Sequence, residues 1–136
     1  MSRSLFLLIT GIYTTLLSLS MVFATEMSLI SYGTPQVDLS HVSIMQFLGV
    51  SSMGLGLLAL LNRHAPNSAA LRNTLLALAV TTLAGIVLGI YHVYLLHVPF
   101  STFFVVDSLF RLVLGLGYLY FYNRETRLAQ VGAVLV

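Results

Sequence analysis

The sequence predicts an all-α integral membrane protein, a four-helix bundle of antiparallel, up-down topology. Three observations carry that expectation. Of 136 residues, 58% are hydrophobic and only 7% are charged, whereas a soluble domain carries about 25% charged residues. The apolar residues gather into four blocks, each near the ~20 residues that cross a hydrocarbon core. The arginines fall only in alternate connections and in the last block, which is the pattern that orients spans.

The first span, 5–24, follows a short start with one charge, Arg3. Thr10, Thr14 and Ser18 recur every four residues along it and share a face. A rival reading takes this stretch as a secretory signal, with Val22-Phe23-Ala24 resembling a cleavage site. The run is longer than the usual signal core of about 7–15 residues. The second span, 42–61, follows a connection holding Gly33, Pro35, Asp38 and Ser40, where Asp38 or Ser40 is placed to cap the helix. The third, 74–96, follows Pro66, Asn67 and Ser68, a stop signal and then a cap. The fourth, 100–122, begins at Pro99, Ser101 and Thr102, because proline is tolerated in a first helical turn. The tail 128–136 is apolar and too short to span, so it either lies on the membrane or packs on a partner. Together the spans make one domain, 1–136.

Arg3, Arg63, Arg72, Arg124 and Arg127 share one side under this topology. The positive-inside rule places both termini in the cytoplasm. Cysteine is absent, which excludes disulfides, cysteine-ligated iron–sulfur clusters and a cysteine nucleophile. The six basic residues form no run, so no nucleic-acid footprint is present.

Small residues mark expected helix contacts: Gly49, Gly54 and Gly56 on the second span, Gly85 and Gly89 on the third, Gly115 and Gly117 on the fourth. Aromatics at the span ends, Tyr118 to Tyr122 at one and Tyr91 to Phe104 at the other, read as interfacial belts. Residues 53–63 and 114–124 share a glycine–leucine pattern ending in Asn-Arg, which suits either a duplicated hairpin or common packing demands.

The chemistry-bearing residues are few. Asp107 and Arg111 lie four apart on one face of the fourth span. An isolated charge at that depth costs about 2.5–3.5 kcal/mol on insertion scales, so the two are expected to pair. Gln46 and His92 fall at comparable depth. The expected site is one cluster of Gln46, His92, Asp107 and Arg111 between the second, third and fourth helices. It serves either as a hydrogen-bond network that fixes helix register or as a proton relay or the polar end of a ligand pocket. His41, His92 and His97 lack ligand spacing, and no metal is expected. No catalytic motif is present, and an enzymatic role is not expected.

Three functions fit these features. The leading one is a non-enzymatic accessory or structural subunit of a membrane complex, in contact with lipids and protein partners or with a second copy of itself. The second is a lipid- or quinone-binding component of a redox system, and the third an oligomeric transporter subunit. The first helix, the Tyr32-Gly33 loop, Phe47-Leu48-Gly49, the Gly54-Leu55-Gly56-Leu57-Leu58 run and the basic Asn62-Arg63 turn together resemble small bacterial four-helix membrane proteins of the DoxX-like kind. That resemblance implies the bacterial cytoplasmic membrane as location and, from named members of the group, a quinone-linked partner complex. The pattern departs at Gln46, where such proteins carry an Arg near the start of the second helix.

Overall fold

The computed structural model describes residues 1–134. They form five helices: α1 (Arg3–Phe23), α2 (Thr25–Tyr32), α3 (Leu39–Leu61), α4 (Ala69–Tyr94) and α5 (Thr102–Val134). Four of them, α1, α3, α4 and α5, are long and apolar enough to cross a membrane. No strand occurs among the described residues.

The helix starts follow from their caps. Ser2 accepts from the backbone N–H of Leu5 at 3.2 Å, Asp38 from His41 at 2.8 Å, Ser68 from Leu71 at 3.2 Å and Ser101 from Phe104 at 3.1 Å. Each satisfies an amide that the first turn leaves without a partner. α4 starts at Ala69 rather than 74, because Ser68 caps a run of strong helix formers, Ala69-Ala70-Leu71-Arg72.

Two elements depart from expectation. The first connection contains α2, ended by Gly33 at φ 102°. There the Gly33 and Thr34 amides bond back to Ile30 and Leu29 at 3.0 and 3.1 Å, closing the helix as left-handed glycines do. α5 does not stop at 122. It runs for 33 residues, about 50 Å at 1.5 Å per residue. The polar stretch after Tyr122 lowers hydropathy without lowering helix propensity, since Arg, Glu, Leu, Ala and Gln all favour helix. The apolar tail is therefore the end of α5 as far as Val134, and its last two residues lie outside the described part.

Packing is dominated by two pairs, α1 with α3 and α4 with α5, with α5 also touching α1 and α2. The α1–α3 crossing is close. A Cβ on Gly11 would meet the carbonyl oxygen of Gly56 at 3.0 Å, and one on Gly56 would meet the Thr15 hydroxyl at 2.5 Å. Gly49 seats against Ser18 and Met21. Other glycines behave differently from the sequence expectation. Gly54 and Gly85 have nothing within 4 Å of a Cβ position, so neither is a packing contact. In the paired sequence segments, Gly54 is open where Gly115 clasps Leu83, while Gly56 and Gly117 both pack on α1.

The core lies at one end of the bundle. Phe6 and Leu7 of α1, Ala59 of α3, Leu71, Leu75 and Ala79 of α4, and Leu114, Tyr118 and Phe121 of α5 join there. The Phe6 ring meets Tyr118 edge-on at 5.0 Å and Phe121 at 5.0 Å. Tyr118 and Phe121 are thus core residues, not belt residues, whereas Tyr120 is exposed. Below the core, Arg3 pairs with buried Glu125 at 2.9 Å and donates to the Ala65 carbonyl. Asn67 donates to the Glu125 carbonyl at 2.8 Å. At the opposite end Ser101 donates to the Ser31 carbonyl, and Gly33 lies against Pro99 and Phe100.

Among the described residues α3 and α4 do not form a packed pair. The space between them is a cavity.

Candidate functional site

Asp107 is the centre of the site. It sits in the second turn of α5 and is 5% exposed. Its Oδ1 accepts from the Tyr13 hydroxyl of α1. Its Oδ2 accepts from the Tyr32 hydroxyl of α2 at 3.0 Å and from Arg111 Nε at 2.6 Å. Three elements therefore converge on one carboxylate. Charge-assisted bonds of this length are the strong kind, and they offset the cost of keeping a carboxylate in a dry site. The pairing expected from the four-residue spacing of Asp107 and Arg111 is present.

Gln46 and His92 do not join it. Gln46 is exposed and donates to the Val22 carbonyl at 3.3 Å, closing the end of α1. His92 is exposed and lines a separate cavity of about 350 Å³ with Tyr32 and His41, at the end of the bundle away from the core. Both sit on faces turned away from Asp107. Shared depth in the membrane had grouped them, and depth does not fix the face. Among the described residues no group of three His, Asp or Glu side chains is placed to hold a metal ion.

Tyr13 and Tyr32 take the places that Gln46 and His92 were expected to fill. Their bonds to Asp107 reach across 94 and 75 residues of sequence. Tyr13 carried a usable signal, a phenol in mid-span, because a buried tyrosine hydroxyl needs a partner. Tyr32 lies outside the spans. Burial, and then the neighbouring Asp107 charge, pushes its phenol up from 10.0 to about 12. It is a hydrogen-bond donor throughout the physiological range.

Arg111 borders a cavity of about 650 Å³, lined from both helix pairs. Thr14, Ser18, Ser51, Ser52, Thr81 and Thr82 place hydroxyls along its wall. Leu48, Val80 and Leu88 line it too and are more than half exposed, so the cavity opens sideways between α3 and α4. Arg111 lies nine residues into α5, about 14 Å along the axis. Its side chain is 34% exposed. Asp107 is its hydrogen-bond partner through Nε, and the Tyr32 hydroxyl lies beside the same guanidinium. The arrangement presents guanidinium donors, with their charge already balanced by Asp107, at the side of an apolar and hydroxyl-lined space. The volume falls in the range of small-molecule pockets, about 300–1,000 Å³.

No protein-family model, curated protein or solved structure matches the chain.

Proposed function

We propose that this protein is a non-enzymatic membrane component that binds an amphipathic lipid whose neutral head group accepts hydrogen bonds, with a quinone as the favoured class. The observation that carries the reading is Arg111, a part-exposed guanidinium whose charge Asp107 balances, on the wall of a 650 Å³ cavity. An anionic head would add charge to a pair that Asp107 already neutralises. A carbonyl oxygen fits without doing so. The lateral opening between α3 and α4 admits a tail from the bilayer, and the Ser52, Thr81 and Thr82 hydroxyls on the wall offer further donors.

The loose resemblance to quinone-linked accessory subunits supports the same class. It also favours service within a larger complex over action alone. The arginine distribution supports a topology with both termini in the cytoplasm, because Arg3, Arg63, Arg72, Arg124 and Arg127 lie in segments that share one side, and the resemblance alone suggests a bacterial cytoplasmic membrane.

Tyrosine fluorescence tests the reading, since the chain has no tryptophan and Tyr13 lines the cavity. A short-tailed benzoquinone titrated into detergent-solubilised protein should quench saturably. Arg111→Gln should abolish the saturable part, while Val87→Leu, on an exposed face of α4, should keep it. Equal saturable quenching in all three proteins would refute the binding mode.

A further inference from the structure

Three cavities lie in series from the outer end of the bundle to its middle. The outer one, about 350 Å³, is lined by His41, His92 and Tyr32 among others. A middle one, about 170 Å³, is lined by Tyr32, Ser108, Asp107 and Arg111. The third is the 650 Å³ cavity beside Arg111. Each shares walls with the next. Tyr32 and Phe104 border both the outer and the middle spaces. Met21, Leu48, Gly85 and Arg111 border both the middle and the inner spaces.

We propose that this series is an aqueous half-channel from the outer face to the buried Asp107–Arg111 pair, and that Tyr32 is its gate. It would carry water and protons to the carboxylate and to any head group held beside Arg111. The proposal deepens the ligand-binding reading and rests on it for its purpose, not for its geometry.

The position of Tyr32 suits a gate. Its ring stands edge-on to Phe103 at 5.1 Å, and its hydroxyl is latched to Asp107 Oδ2 at 3.0 Å. It is the last residue of a helix of eight, followed by Gly33 at φ 102°, a backbone state open to glycine and strained for other residues. The ring is therefore held at a terminus by one latch and one aromatic contact, while Ser31 just before it is anchored by Ser101. A turn of the Tyr32 side chain about its own χ1 swings the ring without unseating the helix. The groups that face it are Asp107 and Arg111 on the inner side and His41 and His92 on the outer side. No charged side chain lies between them in the shared wall, which is Tyr32 and Phe104.

The chain lacks cysteine, so accessibility can be read at one introduced thiol. Ser108→Cys places it in the middle cavity. The protein is reconstituted without added quinone in liposomes, and a membrane-impermeant, water-soluble methanethiosulfonate is applied to each side in turn. His97→Cys and His64→Cys report the two faces. Ser108→Cys should react from the His97 side and not from the His64 side. Adding Tyr32→Ala should raise the rate at least tenfold. Adding Tyr32→Phe, which keeps the ring and loses only the latch, should raise it by a smaller factor. No reaction at Ser108→Cys, reaction from the His64 side, or an unchanged rate in either Tyr32 variant overturns the proposal. Quinone binding is not measured here, so the two readings fail separately.

Discussion

Replacing Asp107 by asparagine removes the charge that balances Arg111 and leaves one carboxamide oxygen where Tyr13 and Tyr32 now donate to two. Arg111 is then a lone cation on a spanning helix, which costs about 2.5–3.5 kcal/mol on insertion scales. Its 34% exposure to the cavity lets water reach it, so the lower figure, about 2.5 kcal/mol, is expected. Arg111→Gln leaves Asp107 with its two phenol donors and removes one charged bond, worth about 2 kcal/mol. Independent effects would sum to about 4.5 kcal/mol. The double variant has neither stranded charge and should cost about 1.5 kcal/mol, a coupling of about 3 kcal/mol, at the upper end for side chains in direct contact. The assay is reversible unfolding in mixed micelles, followed by helical circular dichroism as the denaturing detergent is raised. If the double variant loses the sum of the single losses within about 0.5 kcal/mol, the residues act independently and the ion-pair argument fails.

At the other end, Glu125→Gln should cost about 3 kcal/mol, because the pair with Arg3 is buried and one partner is left alone. The same unfolding assay checks it, and Arg3→Gln in the same background should add little. Gly56→Ala should destabilise the α1–α3 contact, since its Cβ meets Thr15 at 2.5 Å, whereas Gly54→Ala meets nothing and should stabilise slightly through helix propensity, by up to about 1 kcal/mol. Tyrosinate absorbance should show one phenol titrating near pH 12 in place of 10, lost in Tyr32→Phe. The raised value means the neutral phenol favours the folded state fully below pH 10.0, and that contribution disappears as pH climbs through about 12.

Local rules made part of this protein readable from its sequence. Block length and hydropathy located the four long helices. Asp38, Ser68 and Ser101 stood where caps are needed. Asp107 and Arg111 had to face the same way because they lie on one helix. What escaped depends on how helices rotate against each other. Gln46 and His92 matched Asp107 in depth and face elsewhere. Gly85 spaced four from Gly89 suggested a contact and instead borders a cavity. Tyr13 and Tyr32 reach Asp107 through tertiary packing alone. The extent of α5 was hidden because hydropathy marks where a helix leaves the membrane, not where it ends. Glu125 stands beside Arg124 and Arg127 in sequence, and only the fold brings Arg3 to it.

The central claim is that the cavity beside Arg111 holds a neutral-headed lipid, and native mass spectrometry of protein extracted in mild detergent tests it most directly. Wild-type protein should carry a bound quinone-class lipid. Arg111→Gln should lose it for want of donors, and Gly85→Leu, which fills open space on the cavity wall, should lose it for want of room while keeping the fold. Wild-type protein that emerges bare, or the same lipid retained by both variants, would contradict the claim.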